Sequence, residues 1–183
     1  MLTLLLGGAR SGKSALAVRL ASLEPSLATF IATGEALDEE MAERIAQHRA
    51  GRPALWPTVE EPVEIERALA AVDRGTTTVI DCLTLWVANL LGAGRSDGEV
   101  LNIAAQIAAL AAERPARVIA VSNEVGSGIV PADALSRRYR DLLGRVNAIF
   151  SDHAQEAFLV VAGRVVPLAP LQPSEGLLKA PPE

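Results

Sequence analysis

The run Gly7-Gly8-Ala9-Arg10-Ser11-Gly12-Lys13-Ser14 has the spacing G-x-x-x-x-G-K-[ST]. Glycines at 7, 8 and 12 let the backbone curl into a concave nest of amide donors. A helix opening at its end adds the positive pole of its dipole, and phosphate oxygens are the natural occupants. In such a loop Lys13 reaches the β- and γ-phosphates as a point charge, while the Ser14 hydroxyl is placed for Mg²⁺. The pattern therefore predicts a bound nucleoside triphosphate. Thr77-Thr78-Val79-Ile80-Asp81 has the form of an apolar strand ending in an acid. Beside a phosphate loop that carboxylate serves Mg²⁺ through water or touches the base; the plain alternative is a cap on the next helix. His48 stands among Arg44, Arg49 and Arg52. Positive neighbours disfavour imidazolium, a neutral imidazole can attack phosphorus, and the arginines suit the charge on a transferring phosphoryl or nucleotidyl group. A solvated histidine near a helix end is the alternative reading, and His153, beside Asp152 and Glu156, keeps it. The guanine-reading [NT]-K-x-D of switch GTPases is absent, which argues against a regulatory GTPase.

The elements that must carry these groups alternate between short apolar runs and longer helical patterns, the signature of a parallel sheet covered by helices. Strands are expected at Leu2 to Leu6, Ala28 to Ala32, Thr77 to Asp81, Arg117 to Ser122 and Phe158 to Ala162, the last closing the sheet. Helices are expected from Lys13 to Leu23, from Asp38 with His48 near the end, from Pro62 to about Val72, from Leu83 to Leu91, from about Glu99 to Arg114, and from Asp133 to about His153. The acids Asp38, Glu39 and Glu40 suit a helix N-terminus. Gly92 to Gly98 has the composition of a mobile loop, and Gly126-Ser127-Gly128 that of a flexible turn. Residues 1–166 are expected as one catalytic domain and 167–183 as a proline-rich, partly disordered tail.

Half of the 183 residues are hydrophobic, enough for one substantial core. The net charge of −5 provides no electrostatic reason for a nucleic-acid or anionic-membrane partner. The longest apolar stretches fall short of the roughly 20 residues needed to cross a bilayer. One cysteine, Cys82, allows no internal disulfide, and the chain opens on a strand-like run; both fit a cytoplasmic protein.

Taken together, these segments resemble the bifunctional adenosylcobinamide kinase/adenosylcobinamide-phosphate guanylyltransferase family of cobalamin biosynthesis. Besides the phosphate loop, the resemblance rests on Ile31-Ala32-Thr33 with Leu37-Asp38-Glu39-Glu40-Met41, and on His48-Arg49-Ala50-Gly51-Arg52-Pro53 with Trp56. It continues in Asp81-Cys82-Leu83-Thr84-Leu85-Trp86, in Asn89-Leu90-Leu91, and in Val121-Ser122-Asn123-Glu124-Val125-Gly126 with Gly128-Ile129-Val130-Pro131. Arg138-Tyr139-Arg140-Asp141 and Gly144-Arg145-Val146-Asn147 complete it. The resemblance implies a RecA-like P-loop NTPase fold, an α/β domain with a mostly parallel sheet flanked by helices, assembled as a homotrimer. It implies two reactions: ATP or GTP phosphorylates adenosylcobinamide, then GTP passes GMP to adenosylcobinamide phosphate through a GMP-histidine, giving adenosylcobinamide-GDP. His48 matches that histidine, with Gln47 where some relatives have a second one, and Lys13 is the other catalytic group. The nucleotide contacts it implies are Gly7, Gly8, Ala9, Arg10, Ser11, Gly12, Lys13, Ser14, Thr33, Gly34, Glu35, Arg49, Ala50, Gly51, Arg52, Glu60 and Asp81. Gly34 and Glu35 depart in type from the family pattern, which favours backbone roles for them. Ser14 and Asp81 are the implied Mg²⁺ ligands. A P-loop small-molecule kinase without the guanylyl step is the alternative, and a nucleotide-gated binding module is a further one.

Overall fold

Apolar residues run almost without interruption along Leu2-Thr3-Leu4-Leu5 and Val118-Ile119-Ala120-Val121, so both faces of these strands need cover. The computed structural model describes residues 1–24, 27–36 and 38–170 and supplies that cover from helices on both faces. In chain order the elements are β1 (Leu2–Gly7), α1 (Lys13–Ala21), β2 (Thr29–Ala32), α2 (Glu39–Ala50), β3 (Thr58–Glu60), α3 (Ile65–Ala71) and β4 (Thr78–Asp81). They continue as α4 (Leu83–Gly92), α5 (Asp97–Ala112), β5 (Val118–Val121), α6 (Ala134–His153), β6 (Glu156–Val161) and β7 (Arg164–Pro167). The sheet order is β3-β2-β4-β5-β1-β6-β7, parallel throughout except for the β6–β7 hairpin. This is the expected α/β fold with a mostly parallel sheet.

The two faces are unequally covered. Leu2, Leu4, Ile31, Ile80, Val118 and Ala120 pack under α3, α4, α5 and α6, whereas Leu5, Phe30, Val79, Ile119 and Val121 meet α1 through Ala17 and Ala21. Trp86, fully buried on α4, donates its indole N–H to Val63 O at 2.8 Å and so ties α4 to the chain entering α3.

Several boundaries depart from the sequence expectation. β3 was not expected between Pro57 and Pro62, yet it pairs with β2, and the Phe30 N–H reaches Pro57 O at 2.8 Å. A proline immediately ahead of an edge strand loses no ladder bond. α3 starts at Ile65, not Pro62, because the Glu61 carboxylate accepts the N–H groups of Val63 and Glu64 and makes a turn there. α5 starts at Asp97 because Ser96 and Glu99 form a reciprocal capping box, which shortens the expected mobile loop. The sheet closes on β7 instead of β6. Pro167, expected to open the tail, ends that strand, and Leu168 N–H bonds Ala157 O at 2.9 Å. Residues 171–183, the rest of that tail, lie outside the described residues.

Arg114 fastens the end of the sheet opposite the phosphate loop. Its buried guanidinium donates to Leu69 O, Val72 O and Asp73 O at 3.0, 3.0 and 2.5 Å, satisfying the carbonyl end of α3. Its own carbonyl accepts the chain-terminal ammonium at 2.7 Å. Arg114→Ala leaves those carbonyls unpaired in a water-poor site, and we expect a loss of about 2–4 kcal/mol, read as a lowered urea midpoint at unchanged slope.

Candidate active site

The phosphate loop lies beyond the C-terminal end of β1, where open α/β sheets bind their ligands. Gly7 has φ 151°, and a Cβ there would stand 2.2 Å from Val160 O on β6, so only glycine allows β1 and β6 to pair to the strand end. Gly12 has φ 102° and serves as the N-cap of α1. The β6–β7 turn braces the loop from the same side, Gly163 N–H donating to Ser11 O at 2.9 Å. Lys13, 7% exposed, donates to Gly8 O at 2.6 Å and to Ser11 Oγ at 3.4 Å, which leaves one of its three ammonium hydrogens for a phosphate. Burial draws its pKa below the ordinary lysine value, while Cys82 and Asp81 pull it back up.

α2 brings His48 to this loop. Asp38 caps the helix by accepting Met41 N–H at 2.7 Å, and Glu39 and Glu40 complement the positive pole, as expected. Most of α2 faces solvent, and Ile45 is its apolar anchor: a Cβ on Gly34 would sit 3.4 Å from both Ile45 and Leu85. The glycine at position 34 thus leaves room for the Ile45 and Leu85 side chains on either side of it. His48 Nδ1 lies 3.6 Å from Asp81 Oδ2, with side-chain exposures of 54% and 8%. The expected all-positive surroundings of His48 are therefore corrected: a largely buried carboxylate faces its ring. Asp81 does not cap α4, whose N-cap is Cys82.

Ala9 to Ser14, Gly34, His48, Arg52, Glu60 and Asp81 line one cavity of about 520 Å³. The remaining expected contacts stand outside that lining. Gly7 is packed under Val160, and Gly8 lends Lys13 its carbonyl. Thr33 is fully buried, with its hydroxyl given to the backbone of Cys82 at 2.7 and 2.8 Å. It fixes the end of β4 beneath Asp81. Glu35 is exposed, Ala50 ends α2 and Gly51 caps it. Arg49 forms an ion pair with Glu60 and lines a smaller neighbouring pocket of about 290 Å³.

Arg52 lies over the Phe30 ring at 4.6 Å, with Trp56 tilted against that ring at 5.9 Å. Its Nε is buried without a hydrogen-bond partner among the described residues. Burial lowers its pKa, Asp81 opposing that shift. Such a stacked guanidinium is preorganised for phosphate. Sequence reasoning missed the aromatic support because Phe30 and Trp56 are separated by 26 positions on different elements. It also left Thr84 unassigned, which lines the cavity together with Asn123. Cys82 lies on its wall as well, its thiol pushed up to about 11 by burial and by Asp81, which disfavours a thiolate role. Among the described residues no group of three or more His, Cys, Asp or Glu side chains forms a metal cluster. One hydroxyl and one carboxylate, Ser14 and Asp81, do line the same cavity, the sparse donor set with which proteins hold Mg²⁺ between carboxylate, water and phosphate.

The family described as cobinamide kinase / cobinamide phosphate guanyltransferase matches residues 3–168. A Pseudomonas aeruginosa protein named bifunctional adenosylcobalamin biosynthesis protein CobP is 44% identical over 172 residues, 92% of this chain and 97% of that one. The Salmonella typhimurium and Escherichia coli proteins named bifunctional adenosylcobalamin biosynthesis protein CobU are 42% and 40% identical, each over 89% of this chain and 97% of theirs.

Proposed function

The chain belongs to the cobinamide kinase / cobinamide phosphate guanyltransferase family, and from that premise we propose that His48 is the nucleophile that carries GMP between GTP and the phosphorylated corrinoid. The enzyme has both activities of its family, kinase and guanylyltransferase. The observation that supports the assignment is the placement of the His48 imidazole and the phosphate-loop Lys13 on the wall of one cavity, with Asp81 against the ring.

In this reading Nδ1–H points toward Asp81, which leaves the Nε2 lone pair to attack the α-phosphorus of GTP. The P–N bond forms as the bond to the bridging oxygen breaks, and pyrophosphate departs against Lys13 and the loop amides. A phosphate oxygen of adenosylcobinamide phosphate then attacks the same phosphorus, the P–N bond breaks, and adenosylcobinamide-GDP is released. Asp81 holds the ring and stabilises the positive charge it carries while phosphorylated. Arg52 answers the charge on the transferring group. In the kinase step Lys13 meets the γ-phosphate of ATP or GTP. Ser14 and Asp81 would hold Mg²⁺, which when bound neutralises charge on the phosphates.

The same reading makes the protein cytoplasmic and independent of nucleic acid. Among the described residues no helix is long and apolar enough to cross a membrane. We propose a homotrimer as well. Val165 and Val166 on the edge strand β7 are exposed and available for a subunit contact, and light scattering at three times the chain mass would agree with it.

Incubation of the protein with adenosylcobinamide, ATP and Mg²⁺ is expected to yield adenosylcobinamide phosphate, and addition of GTP to convert it to adenosylcobinamide-GDP and pyrophosphate. Accumulation of the phosphate alone, with GTP present, would remove the guanylyl-transfer reading.

A further inference from the structure

Asn123 stands at a point of the sheet that neither the phosphate loop nor His48 accounts for. β5 runs between β4 and β1, with Val121 level with Asp81 on one side and with Leu5 on the other. Two residues further on, Asn123 is flanked by the strand end that carries Asp81 and the strand end that opens the phosphate loop. Its backbone is fixed from several directions. Its N–H donates to Thr84 Oγ1 at 2.8 Å, its carbonyl accepts Asn147 Nδ2 at 3.0 Å, and the next N–H, of Glu124, reaches Gly7 O at 3.1 Å. Asn147 is 5% exposed and accepts the Ser122 hydroxyl at 2.6 Å, while Tyr139 O–H bonds Thr84 O at 3.2 Å. Two of these contacts engage the backbone of Asn123 itself, and the others hold its neighbours and the side chains of its two partners. Its carboxamide lines the cavity and makes no hydrogen bond among the described residues.

A neutral amide launched from so firm a base offers a donor pair on Nδ2 and an acceptor on Oδ1. A phosphate alone needs only donors. An attacking hydroxyl together with a phosphoryl group needs both: an acceptor to orient the O–H and a donor for the phosphoryl oxygen. We propose that Asn123 aligns the acceptor hydroxyl of the kinase substrate on the γ-phosphate, a role that rests on the kinase activity stated above. In that step the hydroxyl oxygen bonds the γ-phosphorus, the bond to the bridging oxygen breaks, and nucleoside diphosphate leaves. The proton is released to water, since the carboxamide cannot hold it. The guanylyl step has no hydroxyl nucleophile and does not call on the Oδ1 acceptor.

The test is Asn123→Ala and Asn123→Asp, each assayed for phosphorylation of adenosylcobinamide and for covalent GMP labelling by GTP. Expected for Asn123→Ala is a fall of about a hundredfold in kcat for phosphorylation, from lost orientation of the nucleophile. KM for ATP and the GMP labelling should stay near those of the parent. Asn123→Asp keeps the acceptor but places a charge opposite the phosphoryl group, so it should lose kcat in the same way. An unchanged phosphorylation kcat in Asn123→Ala would overturn the role, and so would an equal fall in phosphorylation and labelling, which marks a general disturbance of the cavity. If the parent protein itself fails to phosphorylate adenosylcobinamide, the kinase reading falls and this inference with it; an active parent beside an unaffected variant refutes this inference alone.

Discussion

His48→Ala is expected to abolish guanylyl transfer, by a factor on the order of 10⁴ or more, while phosphorylation of adenosylcobinamide continues. The asymmetry follows from where the side chain sits. His48 is 54% exposed on a helix whose fold depends on its Asp38 cap and on Ile45, so removing the imidazole costs the scaffold little. It removes the atom that in the proposed mechanism bonds the α-phosphorus, and neither Cys82 nor Gln47 is placed to replace it: the Cys82 thiol is held up to about 11, and Gln47 has no nucleophilic lone pair of comparable basicity. Rates of adenosylcobinamide phosphate and adenosylcobinamide-GDP formation, measured separately on one preparation, check both halves. Parallel loss of the two would assign His48 to the shared nucleotide site instead of to the transfer.

Lys13→Ala should depress both reactions, each by about 10²–10³ in kcat. Lys13 is buried in the phosphate loop, and in the proposed mechanism its charge meets the γ-phosphate in one reaction and the departing pyrophosphate in the other. Circular dichroism should remain that of the parent, because the loop geometry rests on the Gly7 and Gly12 conformations and on the Gly163-to-Ser11 bond. Steady-state rates of both half-reactions at saturating nucleotide provide the test. Retention of either rate would mean that the two reactions do not share the loop.

The contrast between these two residues mirrors what the sequence made legible. The phosphate loop is local: eight consecutive residues fix its shape and chemistry, and an apolar strand and a helix flank it as expected. Strands such as β4 and β5 announce themselves through β-branched residues buried on both faces. β3 did not, because its three residues sit between prolines and owe their conformation to the neighbouring β2. β7 is exposed along its length and lacks a buried face to imprint a pattern, although Ala162-Gly163, both at positive φ between two valine pairs, is the two-residue turn of a hairpin. In the site, His48 and its arginines were visible as a cluster along the chain. Asp81 was not visible as their partner, since only the β2–β4 register, Ala32 opposite Asp81, brings a carboxylate 33 residues away beneath the end of α2. The bonds by which the Thr33 hydroxyl clamps Cys82 were likewise invisible in the sequence, since they depend on which way one hydroxyl turns.

One histidine is proposed to carry GMP. Intact-mass measurement of the protein after incubation with GTP and Mg²⁺, followed by peptide mapping under alkaline conditions that preserve a phosphoramidate, should show one GMP adduct on the peptide that holds His48. The adduct should be discharged by adenosylcobinamide phosphate and lost on acid treatment. An adduct on another residue, or adenosylcobinamide-GDP formed at full rate with no adduct at all, would contradict the account.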